Sequence, residues 1–108
     1  MVNNNLFENC VIEFKDWLKK EKNQKNRTIS SRVSNIRTIG KYYDILKEFS
    51  IDECQGVLDE LKFSKNDIEP NTSVIIEGNY YNGLATYRQA LNLFVEFLHF
   101  LHFSKRLF

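Results

Sequence analysis

Between Leu84 and Leu101 an apolar residue recurs every three or four positions: Leu84, Tyr87, Leu91, Phe94, Leu98 and Leu101. That spacing is the seam of an amphipathic helix. A second apolar row, Val95, Phe97, Phe100 and Phe103, runs beside it, so from Leu91 onward only Asn92, Glu96, His99 and His102 interrupt the greasy surface. A helix apolar over most of its circumference has to lie at the centre of a helical cluster or against a partner chain. Asn82 is the expected N-cap, with Gly83 loosening the entry. Ser104, Lys105 and Arg106 close the helix with cations where its dipole favours them.

The rest of the chain reads as helices gathered around that one. Leu6, Phe7, Cys10, Val11, Phe14, Trp17 and Leu18 form an apolar stripe over a first helix, Asn5 to about Glu21. Lys22 to Arg27 is a polar, basic connector. Hydroxyls at Thr28 to Ser31 open a second helix reaching about Phe49, with Ile29, Val33, Ile36, Ile39 or Gly40, Tyr43 and Leu46 on its buried side. Gly40 in mid-helix costs roughly 1 kcal/mol relative to Ala, and it either admits a neighbouring helix closely or kinks its own. Ser50 and Glu53 make a capping box for a short third helix to about Phe63, with Cys54, Val57, Leu58 and Leu61 inward. Ser64 to Ser73 is a loop, and Val74-Ile75-Ile76 is at most an extended segment. The expected fold is all-α: one domain over residues 1–108, a four-helix bundle with an irregular connection at about 64–82 packed on it.

A chain of 108 residues with 43% apolar side chains can bury a core without metal or disulfide staples. It contains no uninterrupted apolar run of about 18 residues, so no membrane span is expected. Met1-Val2-Asn3-Asn4-Asn5 lacks the layout of a secretory signal. Cys10 and Cys54 stand far apart and outside any paired motif, which fits small core hydrophobes in a reducing cytoplasm.

Catalytic patterns are scarce. His99 and His102 have a spacing compatible with one metal, Glu96 lying one turn earlier, but zinc wants further ligands and the intervening positions are bulky and apolar. The adjacent acids Asp52-Glu53 and Asp59-Glu60 fit a solvated face. No glycine-rich phosphate loop is present. The expectation is a protein that is not an enzyme and carries no cofactor and no metal.

The informative quantity is the distribution of charge. Residues 15–41 hold nine Lys or Arg against Asp16 and Glu21, whereas residues 42–77 hold nine acids against Lys47, Lys62 and Lys65. A cationic connector and the first turns of helix two could touch several phosphates through Lys19, Lys20, Lys22, Lys25, Arg27, Arg32 and Arg37. Thr28, Ser30 and Ser31 would add neutral hydrogen bonds that fix register. The competing reading is a solvated lysine-rich face neutralised by the acidic helix three. Tyr80, Tyr81 and Arg88 form a second, weaker candidate surface for stacking on bases or lining a partner groove. The surplus Phe97, Phe100, Phe103, Leu107 and Phe108 form an apolar end expected to meet another copy (a homodimer) or a fused or separate effector protein.

Two resemblances bear on function. Phe14-Lys15-Asp16-Trp17-Leu18-Lys19-Lys20, followed by Thr28, Arg32 and Ile36 at Thr-x-x-x-Arg-x-x-x-Ile spacing, resembles the SAM-like core-binding module of phage-integrase-type tyrosine recombinases, a small helical DNA clamp. The acidic helix three followed by a Pro-containing loop departs from that pattern, and none of the recombinase catalytic residues has a counterpart. Residues 29–39, Lys41-Tyr42-Tyr43, residues 58–65 and residues 78–88 are similar to short helical modules that precede nuclease or ATPase domains in bacterial restriction-type defence proteins. That likeness implies a DNA-associated accessory role in phage defence or recombination, with the effector domain outside this sequence. The function expected is therefore a non-catalytic nucleic-acid-binding module, with a protein-interaction or oligomerisation module as the alternative.

Overall fold

The computed structural model describes the backbone of residues 4–62 and 80–106, and side chains within 6–62 and 82–102. Five α-helices appear among the described residues: α1 (Asn4–Lys20), α2 (Asn26–Tyr42), α3 (Ile45–Asp52), α4 (Gln55–Glu60) and α5 (Tyr80–Arg106). The all-α class holds over this part. The connection expected at 64–82 lies outside the described residues up to position 79, as does Val74-Ile75-Ile76. From Tyr80 onward the chain is already helical, so Asn82 and Gly83 sit inside α5 rather than at its cap.

The three long helices pack on one another, α2 against both α1 and α5, while α3 and α4 pair with each other. At the centre, Phe14 meets Phe94 edge to face at 5.0 Å and Phe97 at 5.6 Å. Trp17 stacks on Phe14 from one side and lies 5.7 Å from Phe97 on the other. Around these rings close Val11, Leu18, Ile36, Ile39, Leu84 and Leu91, all fully buried. The sequence seam of α5 is thus the core. Its second row divides: Phe97 is buried with the seam, Val95 is half-buried, and Phe100 is exposed.

Helix boundaries follow local hydrogen bonding. At the end of α1, Asn23 takes a left-handed conformation (φ 51°) and Gln24 N–H donates back to the Leu18 carbonyl at 3.0 Å. Asn tolerates that conformation better than most side chains, and the bond satisfies a terminal carbonyl. The expected second helix is cut at Tyr43, whose backbone is extended, and Asp44 starts α3 by accepting a hydrogen bond from the Lys47 N–H at 3.4 Å. Ser50 is consequently an interior residue of α3. Its hydroxyl donates to the Lys47 carbonyl at 2.7 Å, and the capping box does not form. The third helix expected from Ser50 to about Phe63 is shortened to α4: residues 50–52 end α3, and Glu53 and Cys54, both left-handed, separate the two.

Gly40 admits a neighbour. A β-carbon there would lie 2.8 Å from the ring of Phe7, which is where α1 crosses the end of α2. An alanine in a helix normally gains about 1 kcal/mol over glycine. Here the overlap with the ring reverses the sign, and Gly40→Ala should destabilise by about 1 kcal/mol through overpacking. Pairing it with Phe7→Leu should recover the ordinary helix gain in a urea melt. Unchanged or higher stability of the single variant would show that the ring is free to turn away.

Cys10 and Cys54 are both buried thiols, neither in a disulfide among the described residues. The Cys54 Sγ lies 3.6 Å from the Ile45 carbonyl. Burial first, then the charges of Asp52 and Glu48, push its thiol from 9.0 up to about 12. Between those values the unfolded thiol ionises and the folded one does not, so this contribution to stability is complete below about pH 9 and is lost as pH rises toward about 12. Cys54→Ala should show a shallower alkaline decline in denaturant midpoint than the parent protein. An identical slope would remove Cys54 as its source.

Candidate functional site

The α2 sequence fixes two neighbouring stripes. Ile29, Val33, Ile36 and Ile39 turn inward and are buried. Ser30, Ser34, Arg37, Thr38 and Lys41, spaced by whole helical turns, share an adjacent face. Packing α1 alongside that face brings Lys15 to it, and together these six residues line a groove of about 440 Å³ with Val33 at its floor. Lys15, Arg37 and Lys41 make it cationic, Ser30, Ser34 and Thr38 supply hydroxyls, and among the described residues no acid lines it. Thr38 Oγ1 donates to the Ser34 carbonyl at 3.1 Å, which leaves the hydroxyl oxygen free to accept.

A larger depression of about 900 Å³ adjoins the first, sharing Lys15 and Ser30 with it. Its apolar wall is built from Ile12, Trp17, Ile29, Phe97, Phe100 and Leu101. Lys15, Lys19 and Lys20 are balanced there by Glu13, Asp16 and Glu21.

The expected cationic set is redistributed. Lys20 pairs with Asp16 one turn back at 3.2 Å, and Lys22 pairs with Glu96 of α5 while its ammonium sits 5.4 Å from the Trp17 ring centre. Arg37 meets Glu8 of α1 through Nε and Nη2, at 3.3 and 3.1 Å. Arg32 turns into the α2–α5 interface. Its Nη2 donates to Gln89 Oε1 at 3.2 Å, and its Nε is buried with no hydrogen-bond partner among the described residues. Thr28 is half-buried, whereas Ser31 is exposed. Lys15, Lys19, Lys25, Arg27 and Lys41 are exposed and have no ion pair among the described residues.

Among the described residues, the acids of the acidic segment are engaged locally. Asp44 caps α3, Asp52 accepts from the Gly56 N–H at 2.9 Å, and Asp59 accepts from Gln55 and Lys62 at 3.0 and 3.1 Å, contacts that hold its carboxyl below the usual range. Glu60 accepts from the Tyr43 hydroxyl at 3.2 Å, and Glu53 faces His99 Nε2 at the same distance. Among the described residues no ion pair joins a cation of 15–41 to an acid of 42–62.

The chain matches no family model, no curated protein and no solved structure.

Two expectations need correction. Phe97, expected at an apolar docking end, is 1% exposed and belongs to the core, because Phe14 and Trp17 of α1 close over it. Arg88, named with Tyr80 and Tyr81 as a weaker candidate for stacking on bases or lining a partner groove, is half-buried and donates from Nη1 to the Leu61 carbonyl at 2.8 Å, tying the end of α4 to α5. The side chains of Tyr80, Tyr81, Phe103, Leu107 and Phe108 lie outside the described residues. Sequence reasoning missed Lys15, Ser34, Thr38 and Lys41 as members of one site. The available signal was the polar stripe on α2 running beside the isoleucines.

Proposed function

We propose that this chain is a non-catalytic accessory module that holds nucleic acid by its phosphate backbone in the groove between α1 and α2. The observation that supports this most directly is a groove whose described lining holds three cations and three hydroxyls and no acid, Glu8 reaching only the Arg37 guanidinium. Phosphates are recognised in just this way, by Lys and Arg for charge and by hydroxyls for register. Lys25 and Arg27, exposed where the chain enters α2, extend the cationic surface beyond the groove. Lys41 is the last basic residue of α2, where its charge also complements the helix dipole.

Membership of a defence or recombination assembly, which the sequence resemblances imply, is compatible with a module of this kind and stands as part of the same proposal. Protein interaction through the aromatic end of α5 is the weaker reading. With Phe97 in the core, Phe100 is the one member of that set with a described, exposed side chain.

The test is a salt titration of binding to a labelled duplex and a labelled single strand, followed by fluorescence anisotropy. Contact with three to five phosphates gives a log–log slope of roughly −2 to −5. Absence of binding to either nucleic acid at low salt, or binding indifferent to salt, rejects the proposal. Light scattering on the same sample reports whether a stable dimer forms instead.

A further inference from the structure

Phe100 is 42% exposed, on the wall of the larger depression, with the Trp17 ring 6.2 Å behind it. The two rings are tilted by 44° to each other, and Phe100 keeps part of its aromatic surface accessible to solvent. Nearby, Ile12 is 60% exposed and lines the same wall. This half of the surface is a poor track for phosphates, since Glu13, Asp16 and Glu21 offset its lysines. The neighbouring groove, reached across Lys15 and Ser30, is the more cationic half: Lys15 and Lys41 have no ion pair among the described residues, and Arg37, paired with Glu8, adds a third cation. The two halves thus differ in chemistry and share an edge: one suits a backbone, the other suits a base.

We infer that the nucleic acid this module accepts is single-stranded, its backbone lying along Lys15, Arg37 and Lys41 and an unpaired base stacking on Phe100. The inference rests on the proposed backbone-binding function and names its substrate class. In a duplex the base faces are covered by their neighbours, and a groove offers only base edges. An aromatic face can be used only by a base that is out of its stack. Cationic tracks flanked by aromatic platforms are the general solution for holding single strands without reading sequence.

The experiment compares an oligothymidine of about 16 nucleotides with a duplex of the same length, using the parent protein, Phe100→Leu and Phe100→Trp. Expected are tighter binding of the single strand, its loss by about ten-fold in Phe100→Leu, retention in Phe100→Trp, and little change for the duplex in any variant. Trp17 is the sole tryptophan of the parent chain, and its fluorescence should respond to the single strand and not to the duplex. Circular dichroism confirms that Phe100→Leu is folded, and the Trp variant provides the second measurement should it not be. Equal affinity for both nucleic acids with Phe100→Leu unchanged overturns the single-strand assignment while leaving backbone binding intact. A duplex preference does the same. Failure to bind either one overturns both.

Discussion

Truncating Phe94 to alanine should lower the unfolding free energy by about 3–5 kcal/mol, the largest effect of any single core substitution considered for this fold. Phe94 is fully buried, and its ring contacts Phe7 at 6.2 Å, Phe14 at 5.0 Å and Phe97 at 5.8 Å. Two of those neighbours come from α1 and one from α5 itself. Removing the ring leaves a hole between the helices that aromatic neighbours are too rigid to fill, so the cavity cost adds to the lost transfer energy. A domain of this size holds about 5–15 kcal/mol in total, and the variant should unfold at a much lower urea concentration. Phe100→Ala, on the same helix but half in water, should shift the midpoint far less. A Phe94 loss below about 1 kcal/mol would mean that the α1–α5 contact is not where the stability lies.

The two positions also mark what periodicity can convey. Steps of three and four along α5 identify a stripe, and four members of that stripe, Leu84, Leu91, Phe94 and Leu98, are buried. Periodicity carries no information about depth. Tyr87 and Leu101 on the same stripe are half-buried, and among the described members of the second row only Phe97 enters the core. The deciding factor is a tertiary one, the placement of Trp17 and Phe14 over one side of α5 and not the other. Leu6, on the expected stripe of α1, is exposed because it precedes the part of that helix that packs.

The region from Tyr43 to Cys54 shows a different obstacle. Asp44 and Ser50 are both good caps, and local chemistry alone does not choose between them. Once Tyr43 is extended, Asp44 takes the role and Ser50 becomes interior. The break at Glu53 and Cys54 uses left-handed conformations in residues that seldom adopt them, so no glycine or asparagine announces it. Burial of the Cys54 side chain and the Asp52 contact to Gly56 hold the junction together, and both are long-range or conformational facts. Gly40 was legible as a choice between close approach and a kink, and the Phe7 ring decides it.

Charge behaves the same way. The run of cations over 15–41 is plain in the linear sequence, but a helix distributes a run around its circumference. Arg32 is carried to the α5 side, Lys22 to Trp17 and Glu96, and Lys15 is brought back from α1 to join Arg37 and Lys41. The set that ends up on one surface is neither the densest stretch nor a random sample of it. It is the subset whose helical phase matches the face that α1 leaves open.

That selection leads to the second large effect. Lys15→Ala, Arg37→Ala and Lys41→Ala combined should reduce nucleic-acid affinity at low salt by roughly a hundred-fold or more, taking each charged contact at about 1 kcal/mol or above. The salt slope should flatten by roughly 2–3 as the corresponding phosphate contacts disappear. Stability should hardly change, because Arg37 and Glu8 form an exposed pair worth at most about 1 kcal/mol and the two lysines have no ion pair among the described residues. The instructive comparison is a control with the same loss of charge: Lys20→Ala, Lys22→Ala and Arg32→Ala. Those side chains are engaged with Asp16, Glu96 and Gln89, so this control should bind more tightly than the groove variant and lose more stability. Equal binding by the two triple variants would show that total charge governs the interaction. The groove between α1 and α2 would then have no special role, since only a site distinguishes cations by position.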